Sequence, residues 1–203
     1  MSAEEVSPTT RMKAADRREL ILEAATAVFG AKTYVGTTTD EVARAAGVSQ
    51  PYVVRLFGTK EKLFIEVIQR AYDRLISEFR QALPGSVEGR GERMGTAYTG
   101  LLAERGMLPV IANSTALGGE PEIGRVARAG FSDIWRFIRD EAGFTPEDTR
   151  SFIATGMLIN TIVGLRLTGD YGTEVSATEV LETCFPDAVA KVRELLPAVD
   201  EPW

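Results

Sequence analysis

Histidine is absent from all 203 residues, and cysteine occurs once, as Cys184. Those two absences remove a Ser-His-Asp or Cys-His nucleophile pair, any histidine-containing zinc site and any multi-thiolate metal site. A single cysteine excludes an intrachain disulfide and fits a reducing compartment, so the expected location is cytoplasmic. No apolar run approaches the ~18 residues of a membrane span, and no membrane partner is expected. The first ten residues carry Glu4 and Glu5 and no apolar core, so they do not read as a signal peptide. No glycine-rich phosphate loop follows a strand-like run, and no period-two alternation marks a strand. Neither a metal, a cofactor nor an enzymatic site is expected.

What remains is almost entirely helical, and the expected fold class is all-α. Hydrophobic residues make up 44% of the chain and the mean hydropathy is -0.04, ordinary for a soluble globular protein. Leu20, Ile21, Ala24, Ala25, Val28 and Phe29 recur at three-to-four spacing and predict a first amphipathic helix over 14–31. Lys32 to Gly36 then reads as a loop with Tyr34 packed inward.

The segment from Thr37 to Phe64 is the most specific part of the chain. Thr38 caps a short helix, and Glu41 three places on completes a capping box. Ala43 is small where a second helix must cross closely. Gly47 ends the helix in a left-handed conformation that costs glycine nothing. Ser49 stands where a cap for the next helix is needed, and Pro51 falls in that helix's first turn, where its missing N–H does little harm. Val53 and Leu56 face inward. These offsets are those of a helix-turn-helix, which leaves Gln50, Tyr52 and Arg55 facing a DNA major groove. Thr38, Thr39, Ser49 and Lys60 are expected to hold phosphates, with Pro51 on the same surface.

Charge is distributed to match. Residues 1–83 hold 12 Lys/Arg against 11 Asp/Glu, whereas residues 84–203 hold 11 against 18; the overall net charge is -6. Within 11–62 the count is 9 against 6. The acidic C-terminal part is repelled from phosphates and is expected to stand away from the nucleic acid.

Residues from about Arg17 to Phe79 resemble the DNA-binding domain of the TetR family of transcriptional regulators. The resemblance runs through ILEAATAVFGAKTYVGTTTDEVARAAGVS, the Phe57 and Lys60 positions, and Leu63-Phe64. The family often carries aromatic residues and a histidine just before the Phe57 position, where this chain has Val54-Arg55-Leu56. A common phosphate-contacting tyrosine is thus missing at Val54, and Tyr52 or Arg55 is expected to take over part of its role. The resemblance implies an N-terminal helix-turn-helix that reads an operator and a divergent all-helical C-terminal domain that dimerises and binds a small effector. The expected division is a disordered lead over 1–13, a three-helix DNA-binding domain over 14–60, a connecting helix over 61–83, and an effector and dimerisation domain over 84–203.

In the last part, helices are expected around Met94–Leu102, 107–117, 123–142, 146–168, 177–185 and 186–196, with 197–203 frayed. The helix over 146–168 is apolar on more than one face, with Phe152, Ile153, Met157, Leu158, Ile159, Ile162, Val163, Leu165 and Leu167. Together with Val189, Val192, Leu195 and Leu196 of the last helix it is expected to form a four-helix interface in a homodimer. The DNA partner is then a near-palindromic double-stranded operator. An effector pocket is expected between the C-terminal helices, with walls from Tyr98, Leu102, Met107, Ile111, Phe131, Trp135 and Met157 and orienting groups Asn113 and Asn160. Asparagines amid apolar helices need partners, and methionines suit an adaptable wall. The expected effector is small and hydrophobic or aromatic. The function read from these features is a dimeric repressor released from its operator by such a ligand. The alternative is an effector-independent architectural or protein-interaction module that binds DNA.

Overall fold

Apolar spacing and a few caps divide residues 14–196, those the computed structural model describes, into ten α-helices and no strand. The expected lead over 1–13 and the expected frayed end over 197–203 lie outside the described residues. The first helix, α1 (Ala14–Gly36), runs five residues past the expected end, but it is broken at Thr33, whose φ of 61° is unusual for a β-branched residue. The kink lies inside the expected loop over 32–36. It lets Tyr34 turn back onto Phe29 and Phe64, with ring centroids 6.4 and 5.1 Å away.

Beyond the kink, α2 (Thr39–Ala45) starts at Thr38 with the full capping box. The Glu41 backbone N–H donates to Thr38 Oγ1 at 3.2 Å, and the Thr38 backbone N–H donates to Glu41 Oε2 at 2.9 Å. Gly47, at φ 64°, turns the chain into α3 (Gln50–Phe57), where Pro51 occupies the first turn. Ser49 is the N-cap but makes no side-chain cap bond, so α3 is held at its start by proline geometry and by backbone bonds to the Ser49 carbonyl. Gly58 (φ 81°) and the Thr59 cap then open α4 (Lys60–Gln81).

The long helix α4 is the spine of the molecule. Its buried face carries Leu63, Phe64, Val67, Ile68, Ala71, Tyr72, Leu75 and Phe79. The N-terminal half packs on α1 and α3. The C-terminal half meets α5 (Arg90–Gly100), α6 (Met107–Ala116) and α7 (Pro121–Arg136). One apolar cluster therefore runs from Ile21 through α4 to Leu196, linking the helix-turn-helix to the C-terminal helices without a gap.

The short 3₁₀ segment Leu101–Ala103 follows α5, and a π-helical turn over Phe137–Glu141 extends α7 to the expected stop near Ala142. Thr145 and Pro146 start α8 (Pro146–Leu165) as their cap-and-proline pairing predicts, with Asp148 N–H donating to Thr145 Oγ1 at 3.1 Å. It stops three residues before the expected end, at Arg166 in a left-handed conformation, and a 3₁₀ turn over Leu167–Asp170 follows. The chain closes with α9 (Val175–Cys184) and α10 (Val189–Leu195).

One expectation about packing is corrected. Of the last-helix residues expected at a subunit interface, Val192 and Leu196 turn inward, 2% and 7% exposed, where α10 packs against the Leu101–Ala103 turn, while Val189 and Leu195 stay half-buried. Among the described residues, no helix is long and apolar enough to cross a membrane.

Candidate DNA-binding face and effector cavity

The exposed surface of α3 follows from what its other face must bury. Val53 and Phe57 point into the core, so Pro51, Val54 and Arg55 are exposed, while Gln50 and Tyr52 are half-buried at the margin. Gln50 Nε2 donates to Thr39 Oγ1 at 3.2 Å, fixing the start of α3 to the start of α2. The Tyr52 ring packs on the core and has Arg55 against it, the guanidinium carbon lying 4.9 Å from the ring centroid. Arg17, from the first turns of α1, approaches the same ring to 5.8 Å. Its place in this face is not legible in the sequence, because nothing in the spacing connects residue 17 to residue 52.

The expected phosphate-holding residues are not equivalent. Ser49 is exposed, and its hydroxyl is not used as a cap. Thr38 is exposed, but its hydroxyl donates to Glu41 Oε2 at 3.0 Å, so its proton is already committed to a carboxylate. Lys32 and the two Thr38 groups together hold Glu41 well below its ordinary value of 4.5, at about 2, with the Lys32 hydrogen bond the largest cause. Thr39 is half-buried and accepts from Gln50. Lys60 is half-buried and donates to the carbonyls of Tyr34 and Thr37, both at 3.0 Å, with its ammonium 4.5 Å from the Tyr34 ring centroid. That ammonium braces the kink after α1 with two of its three N–H groups and keeps one for an anion.

A second feature begins further along α4. Between α4, α5, α6, α7 and α8 is a cavity of about 430 Å³, within the usual range for small-molecule sites. None of its lining side chains is charged. Tyr72, Leu75 and Phe79 of α4 form one wall, Ile134 and Ile138 a second, and Phe152, Ile153, Met157 and Ile159 of α8 a third. Phe79 sits amid an aromatic cluster, 6.2 Å from Tyr98 and 5.5 Å from Phe152 between ring centroids. Phe131 and Met157 stand at the mouth, 43% and 58% exposed.

Of the expected wall, the structure brings Tyr98, Ile111, Phe131, Met157 and Asn160 into the lining. Leu102 and Met107 do not reach it. Leu102 is buried in the 3₁₀ turn, and Met107 borders a separate groove between α1, α4 and α6. Asn113 and Trp135 are half-buried but also stay outside the lining. Met107 shares the face of α6 that carries Ile111 but lies one turn nearer α1, and the Leu101–Ala103 turn contributes nothing to the lining. The α4 wall of Tyr72, Leu75 and Phe79 is an addition to the expected binding surface, since its periodicity marks only a buried face.

The polar group inside is a linked pair. The Tyr98 hydroxyl lies 2.7 Å from Asn160 Oδ1, to which it donates, and 3.2 Å from the Gly156 carbonyl oxygen. Burial raises the Tyr98 pKa, so the phenol stays neutral. With its oxygen engaged by Tyr98, Asn160 keeps its amide N–H groups for another acceptor.

Comparison with known proteins places this architecture. Residues 21–67 match the family model described as bacterial regulatory proteins, tetR family. The chain is similar to the HTH-type transcriptional activator FasR of Mycolicibacterium smegmatis, 39% identical over 80 residues that make up 39% of this chain and 36% of that protein. It is also similar to the HTH-type transcriptional regulator YhgD of Bacillus subtilis, 38% identical over 73 residues, 36% of each chain. These matches span little more than a third of those relatives. Over nearly the full chain the fold is that of a TetR-like transcriptional regulator from Rhodococcus sp. RHA1, with a TM-score of 0.62 at 19% identity, covering 91% of this chain and 96% of that one. A TetR-family member from Streptomyces coelicolor gives 0.60 at 18% identity, covering 90% and 99%. The helix-turn-helix of this chain, completed by the start of α4, is the part that matches the tetR family of bacterial regulatory proteins.

Proposed function

We propose that the chain is a dimeric, sequence-specific transcriptional regulator, a repressor that a small apolar ligand releases from its operator. The observation that carries the DNA-binding half is the α3 surface, where Gln50 and Arg55 are presented beside Tyr52 by helices whose apolar faces are used up in the core. Arg55 has the fork to pair with guanine O6 and N7, and Gln50 can both donate to and accept from adenine. Ser49 and the third N–H of Lys60 are the phosphate contacts this geometry favours, with Thr38 and Thr39 in a supporting role through Glu41 and Gln50.

The second subunit is inferred from α8. Ala154, Met157, Leu158, Thr161 and Leu165 fall at helical spacing on its exposed side, with Met157 58%, Leu158 44% and Leu165 64% exposed. Gly164 on the same helix meets nothing within 4 Å of an added Cβ, leaving room for close approach. An apolar stripe of this kind is covered most economically by its own copy across a twofold axis, which also places two α3 helices on successive turns of a near-palindrome.

The effector half rests on the cavity. Its uncharged lining suits a neutral, largely apolar or aromatic molecule, and the Asn160 amide offers one donor for a carbonyl or hydroxyl oxygen. Coupling follows from shared helices. A ligand touching Tyr72 or Phe79 touches α4, whose other end lies under α3; a ligand touching Ile111 or Thr115 touches α6, which begins against α1. A ligand that favours a different setting of these helices weakens DNA binding and is itself weakened by DNA to the same degree.

A reporter gene placed behind the selected operator tests the sense of regulation. Repression by the wild-type chain, relieved by a cavity ligand, is the expected result. The Mycolicibacterium relative is named as an activator. Expression that rises with this protein would reverse the sense while leaving the DNA-binding surface intact.

A further inference from the structure

Arg17 and Arg55 come from different helices yet lie against one phenol ring, with guanidinium carbons 5.8 and 4.9 Å from the Tyr52 centroid. Neither has a carboxylate within ion-pair distance among the described residues. The surrounding cations are different: Arg18 pairs with Glu66, Lys32 with Glu41, Arg44 with Asp40, and Arg70 with Glu19 and Glu23. Among the described residues, these four cations have carboxylate partners, whereas Arg17 and Arg55, like Lys60 and Lys62 nearer α4, have none.

Two like charges gathered on one ring without an internal anion repel each other, and the ring quadrupole offsets only part of that. An arriving anion recovers the rest. Arg55 is exposed on α3, whereas Arg17 is half-buried on α1, one helix back from the groove-facing surface. A duplex whose major groove receives α3 brings its backbone to the flanking side, where α1 begins.

We infer that Arg17 is a DNA-contacting residue outside the helix-turn-helix: it holds a backbone phosphate flanking each half-site, and Tyr52 acts as the platform that keeps its guanidinium, and that of Arg55, extended towards the duplex. This rests on the DNA-binding reading above. Tyr52 is then a positioning residue whose ring matters more than its hydroxyl.

The test uses fluorescence anisotropy with the full-length protein and an operator selected by the wild-type chain, titrated across salt concentrations. Arg17→Ala should weaken binding to all sequences about 5–10-fold and flatten the salt slope by about one unit for each phosphate no longer neutralised, with base preference unchanged. Arg17→Lys should restore the slope. Tyr52→Phe should bind like wild type, whereas Tyr52→Leu should weaken binding and make a further Arg17→Ala change nearly silent. Wild-type affinity and slope in Arg17→Ala, with Arg55→Ala still impaired, would overturn the Arg17 assignment and leave the DNA-binding reading standing. An equal effect of Arg17→Ala in the Tyr52→Leu background would overturn the platform. If the wild-type chain selects no DNA, the underlying reading fails and this inference with it.

Discussion

Gly30 of α1 and Gly106 at the start of α6 touch backbone to backbone: a Cβ on Gly30 would lie 2.4 Å from the Gly106 Cα, and one on Gly106 would lie 2.3 Å from the Thr26 carbonyl oxygen. Nothing larger than hydrogen fits on either side. Gly106 also has a φ of 80°, so glycine is required there twice over. This contact is the direct link between the helix that supports α2 and α3 and the helix that carries Ile111, Ala112 and Thr115 in the cavity wall.

Gly30→Ala should therefore separate α1 from α6. We expect a loss of about 1–3 kcal/mol in stability from overpacking, read by thermal or denaturant unfolding. In folded protein, operator affinity should respond less to a cavity ligand than in wild type. Unchanged stability together with an unchanged ligand response would show that the α1–α6 contact gives way freely.

The capping box gives a pH prediction. Glu41 is held at about 2 in the folded chain against an ordinary 4.5. A depressed carboxylate contributes stability that is fully present above the unfolded value and is lost as pH falls through the folded one. The Glu41 contribution should fade between about pH 4.5 and pH 2. Glu41→Gln should lower stability at neutral pH and remove that part of the acid dependence, measured as the difference between the two unfolding profiles. Thr38→Ala should cost about 1 kcal/mol through the missing cap.

Gly95 faces the cavity, and an added Cβ there meets nothing within 4 Å. Gly95→Leu should fill the space. It should raise stability by about 1–2 kcal/mol, through helix propensity and apolar burial, while abolishing the effect of hydrophobic compounds on melting temperature and on operator binding. A variant that still responds fully would place the effector elsewhere. Within the site, Asn160→Leu should weaken ligands that carry an acceptor oxygen far more than pure hydrocarbons.

Leu158 is exposed on the α8 stripe and does not line the cavity. Leu158→Glu should shift sedimentation from dimer to monomer at micromolar concentration and reduce operator affinity, with the helical content unchanged. A wild-type chain that sediments as a monomer at that concentration would rule out the dimer.

Local chemistry explains which features are legible in the sequence. The capping box at Thr38 and Glu41, the turn at Gly47 and the start at Thr145-Pro146 depend on neighbours within four residues, and each forms as the pattern requires. The kink at Thr33, the inward turn of α10 and the absence of Trp135 from the cavity depend on what lies across the fold. The helical phase fixes that a side chain is apolar-facing but not which neighbour it meets. Lys60 shows the same limit: its position at the start of α4 reads as an anion site, while the carbonyls of Tyr34 and Thr37 that occupy two of its donors arrive from a distant kink.

Base reading by α3 is what distinguishes a sequence-specific regulator from a general DNA binder. Its most direct test is in vitro selection of DNA from a random pool by the purified wild-type chain and by Arg55→Ala in parallel. The wild type should select a near-palindromic motif, with half-sites about one helical turn apart, and Arg55→Ala a motif that has lost preference at one base pair in each half-site at a cost of about 1–3 kcal/mol. Identical motifs from the two proteins, or no enrichment by the wild type, would contradict it.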